Sequence, residues 1–189
     1  ERHVVHGDDA AEPLRHALHR EQRHRRRLPY GIHPTASRVQ ERLRERGLDV
    51  EVRELAESTR TAAEAAAAVG CDIGQIVKSL VFEADGRAFL ALTSGPNRAD
   101  PERLAELLMA DEVRRADPEE ARAATGYGIG GTPPFGHPTR LQVLMDRDLM
   151  GYDLVWAAAG SPDSVFPITP RDLLSAAEAE VADFKADPS

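Results

Sequence analysis

The sequence predicts a single α/β domain in which a mixed, largely antiparallel sheet of about six strands is surrounded by short helices. Apolar runs of strand length alternate with segments that carry helix-capping residues. Two of these runs are joined by Glu83–Gly86, a turn sequence that predicts an antiparallel hairpin. No regular strand–helix repeat is present, which favours a mixed sheet over a wholly parallel one.

The first half of the domain is predicted to hold two helices and three strands. Thr35 or Ser37 caps the first helix, which ends at Gly47. The sequence Thr61-Ala62-Ala63-Glu64 is a capping box that opens an alanine-rich helix ending at Gly70. Alternating or continuous apolar residues predict the strands over Asp49–Leu55, Gln75–Phe82 and Arg87–Thr93.

The second half is predicted to hold three helices, each opened by a capping residue followed by proline. These pairs are Asp100-Pro101, Asp117-Pro118 and Thr169-Pro170, and Gly126 ends the second helix. The remaining strands are predicted over Leu141–Asp146, Leu154–Ala159 and Ser164–Ile168.

Composition restricts the class of protein. The chain of 189 residues has 41% hydrophobic and 30% charged residues, which is typical of a globular protein. No apolar run approaches the roughly 20 residues that a membrane span needs. Cys71 is the only cysteine, so no internal disulfide forms and a reducing cytoplasm is the expected location. The net charge of −8 argues against broad, non-specific binding of nucleic acid.

The two ends of the chain are expected to differ from the domain at residues 34–178. Residues 1–33 are rich in His and Arg and poor in apolar residues. They are interpreted either as a mobile or loosely docked extension, or as a basic arm that contacts RNA or a protein partner. Residues 179–189 are interpreted as a C-terminal tail. The oligomeric state cannot be read from the sequence.

The loop over Gly126–Pro138 is the strongest functional signal, because five glycines and three prolines occur in thirteen residues. Such a loop can present backbone N–H groups in a fixed array to an anion or a developing oxyanion. It lies between a helix and a strand, which argues against a dinucleotide-binding fingerprint. No Gly-Lys-Ser/Thr sequence ends it, so it is not a nucleotide-binding Walker loop either.

Lys78 is the second candidate. Two-residue periodicity places it on the same strand face as Ile76, Leu80 and Phe82. A cation among apolar neighbours needs a carboxylate, a phosphate or a polar ligand to offset the cost of its desolvation. The alternative interpretation is a sheet lysine that reaches solvent or pairs with a nearby Glu.

Taken together, these motifs resemble the YbaK/EbsC family of aminoacyl-tRNA deacylases. The likeness covers about residues 34–178. It rests on Cys71–Leu80, Gly95, the sequence from Thr125 to His137, and the segments Ala159-Gly160 and Thr169–Leu173. Members of this family are free-standing relatives of the editing domain of bacterial prolyl-tRNA synthetases. The resemblance implies a YbaK-like fold and hydrolysis of mischarged tRNA, with the acceptor 3′ end as partner and an aminoacyl-tRNA synthetase as a further one.

The resemblance also implies roles for individual residues. Lys78 matches the functional lysine, which contacts the terminal adenosine or its phosphate. Gly130, Gly131, Pro134 and Gly136 match the loop whose backbone contacts the ester carbonyl and the tRNA 3′ end. Water attacks the ester, with the ribose hydroxyl or the substrate itself helping to activate it. The family's chemistry calls for no metal and no cofactor.

Several further residues are candidates with two interpretations each. His137 acts as a general base or orders the loop by hydrogen bonding. Tyr127 and Phe135 stack on adenine or pack the loop onto the sheet. In the late loop of Gly160 and Ser161, Asp163 meets an amino group of the substrate or shapes a turn. Three other residues are not candidates for the site. Cys71 and Trp156 are predicted to be core residues, and Ser94 has no His and Asp partners that would make it a nucleophile.

The substrate's amino acid is expected to be small or medium. Where the cysteine-specific branch of the family has a Lys-Arg pair, this chain has Ser161-Pro162. Alanine, serine or threonine therefore fits better than cysteine. Two other classes of function stay open: a non-catalytic module that binds an RNA 3′ end or a nucleotide, and a scaffold that is indifferent to changes at Lys78.

Overall fold

A computed structural model describes residues 33–187, and five α-helices lie in this part of the chain. They are α1 (Pro34–Glu45), α2 (Ala62–Val69), α3 (Pro101–Leu108), α4 (Pro118–Thr125) and α5 (Pro170–Ala176). Two short 3-10 helices lie at Ile73–Gln75 and Arg147–Gly151. None of the helices in the described residues is long and apolar enough to cross a membrane.

The described residues form one mixed sheet of eight strands. The strands are β1 (Arg53–Glu54), β2 (Ile76–Ala84), β3 (Arg87–Ser94), β4 (Val113–Arg115), β5 (Gln142–Asp146), β6 (Val155–Ala158), β7 (Ser164–Ile168) and β8 (Glu180–Ala182). Their order is β1-β7-β6-β2-β3-β5-β8, and β4 pairs with β2. The predicted α/β class with a mixed sheet is confirmed, although two strands more than expected are present.

Capping and turn residues place most elements where the sequence predicts them. Thr61 and Glu64 form the capping box of α2. Asp100 and Asp117 cap α3 and α4 through side-chain oxygens that accept backbone N–H groups. The β2–β3 hairpin closes with Ala84 opposite Arg87, as its turn sequence predicts.

Three local predictions differ from the structure. His33, rather than Thr35 or Ser37, is the N-cap of α1, because its Nδ1 accepts the Thr35 N–H at 3.3 Å. The strand predicted over Asp49–Leu55 is reduced to β1, which pairs with β7. The short strands β4 and β8 were not predicted, because three residues are too few to show an alternating pattern.

Helices pack on both faces of the sheet. On one face, Val39 and Leu43 of α1 and Leu173 of α5 join Val77 and Val81 of β2 in the largest buried cluster. The opposite face is covered by two smaller clusters, which include the α2 residues Ala65 and Ala66 and the α3 residue Leu104. The strand β2 therefore lies in the middle of the molecule, with side chains directed into both layers.

The structure describes most of the predicted C-terminal tail but almost none of the predicted N-terminal extension. The predicted basic extension at residues 1–33 lies, apart from His33, outside the described residues. The segment interpreted as a C-terminal tail, residues 179–189, contributes β8 to the sheet beside β5. It also contributes Phe184, which is fully buried in the cluster around Leu104.

Candidate active site

The candidate site lies at a gap in the sheet along one edge of β2. On that edge β6 pairs with Ile76 and Val77, and β4 pairs with residues 82–84. Between them, no described strand pairs with residues 78–81 on this edge, whereas their other edge pairs with β3. Val81 directs its C=O toward this edge, where it accepts the Ala116 N–H at 3.1 Å. Because backbone direction alternates along a strand, the N–H and C=O of Ser79 face the gap as well.

A cavity of about 270 Å³ occupies this gap. Its wall combines apolar side chains with a few polar and cationic ones, and includes Arg60, Lys78, Arg115, Thr132, Trp156, Ala158, Ser164 and Val165. Gly130 is the glycine of the predicted loop that lines it. None of the described residues that line it is Asp, Glu, His or Cys. The cavity is therefore a partly apolar pocket with a positive rim.

Lys78 lies at the rim of this cavity, on the strand face that its periodicity predicts. It is partly buried, and its Nζ donates to the Asn97 carbonyl at 2.5 Å. Burial lowers the pKa of Lys78 from its ordinary value, and the neighbouring Arg115 and Arg98 lower it further, while Asp146 opposes them. The ammonium group thus has one backbone acceptor and two nearby cations, an environment that favours binding of an anion.

A buried carboxylate positions the acceptor of Lys78. Asp146, which is 1% exposed, accepts the Ser94 N–H at 3.0 Å and the Asn97 Nδ2 at 2.8 Å. The same Asn97 amide donates to Asp148 at 2.9 Å. These bonds fix the turn after β3, and with it the carbonyl to which Lys78 donates.

The glycine loop contacts the late loop backbone to backbone. The Gly160 N–H donates to the Gly131 carbonyl at 2.8 Å. A Cβ on Gly131 would lie 2.7 Å from the Ser161 Cα, closer than real contacts allow. The Gly131 N–H is directed to the Gly128 carbonyl at 3.2 Å, whereas the Gly130 N–H has no acceptor among the described residues. Gly131 therefore shapes the loop, and the Gly130 N–H is available to a ligand.

Ser161 and Asp163 interact with each other in the late loop. The buried Ser161 Oγ is hydrogen-bonded to Asp163 Oδ1 at 2.5 Å and to Ser164 Oγ at 2.6 Å. The Asp163 carbonyl accepts the Leu55 N–H at 2.7 Å, next to β1. Neither side chain lines the Lys78 cavity, so the structure supports the turn interpretation for Asp163.

The other loop residues predicted to bind substrate do not line the Lys78 cavity. Phe135 is 4% exposed and contacts Phe166, with 5.9 Å between ring centroids. Tyr127 is buried in the same cluster and packs edge-on against the His137 ring. These placements favour the packing interpretation for both aromatic residues over stacking on adenine.

Pro134, Gly136 and His137 line a second cleft, of about 760 Å³, together with Phe135. His137 Nε2 is 2.9 Å from the Pro133 carbonyl. Burial lowers the pKa of His137, and the bond to Pro133 raises it to a smaller extent. The contact with Pro133 lies within the loop, and the Lys78 cavity does not include His137.

Several cavity residues were not identified from sequence as part of a site. Arg60 precedes α2 and Arg115 ends β4, whereas Thr132 lies in the glycine loop and Ser164 is the first residue of β7. Trp156 was assigned to the core, and it is 6% exposed, yet it also lines the cavity. The sequence carries no signal for the gap that brings these residues together, since it depends on the short pairing of β6 and β4 with β2.

No cysteine or metal chemistry is indicated in the described part of the chain. Within residues 33–187, no group of three His, Cys, Asp or Glu side chains is placed to hold a metal ion. Burial and the nearby Asp72 raise the pKa of the Cys71 thiol, which disfavours the nucleophilic thiolate. Cys71 packs beside the α2 cluster, where the sequence predicts a small core residue.

Comparison with known proteins matches this architecture to a family. The sequence profile of the aminoacyl-tRNA editing domain matches residues 56–176. An uncharacterized protein of Bacillus subtilis strain 168, YwhH, is 31% identical over 124 residues, which are 65% of this chain and 78% of YwhH. The proline–tRNA ligase of Nitratidesulfovibrio vulgaris strain DP4 is 35% identical over 96 residues, which are 51% of this chain but 17% of the ligase.

A solved crystal structure has the same fold as this chain. A candidate trans-editing enzyme for prolyl tRNA synthetase superposes with a TM-score of 0.80 at 49% identity, covering 83% of this chain and 100% of that protein. The resemblance to YbaK-like deacylases is confirmed by these matches. The matched profile spans well over half of the chain and includes β2, the glycine loop and the late loop. This chain belongs to the aminoacyl-tRNA editing domain family.

Proposed function

We propose that this protein is a trans-editing hydrolase that cleaves the aminoacyl ester of mischarged tRNA. The observation that carries the proposal is the cavity at the gap in the sheet, which is lined by both the partly buried Lys78 and the exposed loop glycine Gly130. A free backbone donor and a cation on one cavity wall suit an ester attached to a phosphate-bearing nucleotide. The partner is the acceptor 3′ end of an aminoacylated tRNA.

The reaction needs little chemistry from side chains. Water adds to the ester carbonyl, the bond to the ribose oxygen breaks, and the products are the free amino acid and the tRNA 3′ hydroxyl. Lys78 holds the terminal adenosine or its phosphate, and the Gly130 N–H stabilises the developing oxyanion. The ribose hydroxyl or the substrate's own groups help to activate the water, because none of the described residues that line the cavity is Asp, Glu or His. An activated ester held in place needs no metal for this step.

The cavity also suits a small or medium amino acid. Its volume of about 270 Å³ is shared with the ribose and the ester, which leaves limited room for a side chain. Ala158 and Val165 are apolar wall residues, and the Thr132 and Ser164 hydroxyls lie nearby. We infer that alanyl-, seryl- or threonyl-tRNA is the substrate.

The test is release of amino acid from a panel of charged tRNAs. Cysteinyl-, alanyl-, seryl- and threonyl-tRNA are incubated with the wild-type protein, and release is compared with spontaneous hydrolysis. The proposal predicts selective release from one or more of the last three. Release from none of them, with tRNA still bound, would contradict it.

A non-catalytic module that binds an RNA 3′ end is the second candidate function. The observation that favours it is the absence of any carboxylate, imidazole or thiol from the described cavity wall. This candidate predicts that tRNA binds and that charged tRNA is not turned over. The same panel therefore separates the two functions.

A further inference from the structure

The charges on the cavity wall are all of one sign. Arg60, Lys78 and Arg115 line it, and none of its other described lining residues is charged. The whole chain carries a net charge of −8, so a local excess of positive charge runs against its composition. Clustered like charges repel one another and raise the free energy of the empty site.

Arg60 and Arg115 have no counter-ion within residues 33–187. Other arginines of the described chain do: Arg114 pairs with Glu83 and Glu120, and Arg140 pairs with Glu178. The side chains of Arg60 and Arg115 make no hydrogen bond or ion pair to the described residues, and both residues are exposed. Their guanidinium groups are thus available to a ligand.

Strand register places Arg115 on the Lys78 side of the sheet. Arg115 is opposite Phe82 in the β2–β4 pairing, and Phe82 shares its strand face with Leu80 and Lys78. Arg114 is opposite Glu83 and therefore lies on the other face, where it forms its ion pairs. Arg114 and Arg115 are adjacent in sequence, yet Arg114 lies beside carboxylates and Arg115 lies on the face of Lys78.

We propose that Arg60 and Arg115 bind the phosphodiester groups that precede the terminal adenosine of tRNA. The inference rests on the proposed function, which places that adenosine against Lys78. Single-stranded RNA enters such a site with one phosphate per nucleotide, and a guanidinium fork matches a phosphate in shape and charge. Few contacts of this kind suffice for an acidic protein that binds an acceptor end rather than a long stretch of RNA.

The experiment measures the salt dependence of binding to uncharged tRNA. Kd is determined at several salt concentrations for wild type, Arg60→Ala, Arg115→Ala and the matched control Arg114→Ala. Each lost phosphate contact flattens the slope of log Kd against log salt by about 0.7 for single-stranded RNA. We expect that change in Arg60→Ala and Arg115→Ala, and the wild-type slope in Arg114→Ala.

Two results would overturn the inference. Slopes equal to wild type in both Arg60→Ala and Arg115→Ala would show that these arginines contact no phosphate. Equal flattening in all three variants, including Arg114→Ala, would show a general effect of net charge. The readout needs no turnover, so the inference can fail while deacylation stands, or hold while deacylation is absent.

Discussion

The Lys78 ammonium donates a hydrogen bond to the Asn97 carbonyl, and the side chain of Asn97 is held by the buried carboxylate of Asp146. Lys78 belongs to β2, whereas Asn97 lies in the turn after β3 and Asp146 ends β5. Three elements of the sheet therefore fix the position of one cation. Both the geometry and the charge of Lys78 can be tested through its neighbours.

Asn97→Ala is expected to impair Lys78 without unfolding the protein. The substitution removes the bonds to Asp146 and Asp148, which costs about 1–3 kcal/mol of stability and loosens the turn. A displaced ammonium should lower kcat/KM for deacylation roughly tenfold. Kinetics and thermal unfolding check this, with Lys185→Ala as control, because it removes only the partly exposed ion pair to Asp148. Equal kcat/KM in the two variants would refute the positioning role.

Binding of tRNA is expected to weaken at alkaline pH. The pKa of Lys78 is lowered by burial and by Arg115. As pH rises, Lys78 therefore loses its charge earlier than an ordinary lysine, whose pKa is about 10.4. Kd for uncharged tRNA should therefore rise as pH rises through this lowered pKa. Lys78→Arg keeps its charge and should remove this rise. A Kd that rises identically in wild type and Lys78→Arg would assign the titration to another group.

Gly131→Ala is expected to destabilise the protein through its contact with the late loop. A methyl group there would meet the Ser161 backbone at 2.7 Å, and the overpacking should cost about 1–3 kcal/mol. Gly128→Ala is the matched control, since a Cβ at Gly128 meets nothing within 4 Å. Chemical denaturation compares the two, and equal stabilities would disprove the tight packing.

His137 is expected to contribute stability that is lost in acid. Burial lowers its folded pKa below the unfolded value of about 6.5. The contribution is thus present above that value and is lost as pH falls through the folded pKa. His137→Gln cannot titrate, so its stability should fall less steeply than that of wild type below about pH 6.5.

The same variant tests catalysis by His137. Its ring lines the second cleft and not the Lys78 cavity, so deacylation at neutral pH should be retained in His137→Gln. Thermal unfolding and turnover are measured on the same preparation. A folded variant without activity would instead support the general-base interpretation.

Local features of the fold could be predicted from sequence, because their causes are local. Asp100 and Asp117 cap their helices with their own side chains, and the Asp85-Gly86 turn needs only its two residues with positive φ. The face on which Lys78 lies follows from the two-residue period of β2. These predictions depend on few residues and on no distant contact.

The composition of the cavity could not be predicted, because it depends on register between distant strands. Arg115 reaches the Lys78 side only because β4 places it opposite Phe82. The glycine-rich surroundings of Phe135 do not separate stacking on adenine from packing of the loop, and the structure packs Phe135 against Phe166. A loop sequence shows that its backbone is constrained, but not which of its side chains turn inward.

The most direct test of the central claim compares Lys78→Ala with wild type on the charged tRNA that the panel identifies. Single-turnover release of the amino acid is measured with Lys185→Ala as the matched control for loss of a lysine, and melting temperatures confirm folding. Deacylation should fall about a hundredfold or more in Lys78→Ala and stay near wild type in Lys185→Ala. Unchanged release by a folded Lys78→Ala protein would contradict the assignment of this cavity as the active site.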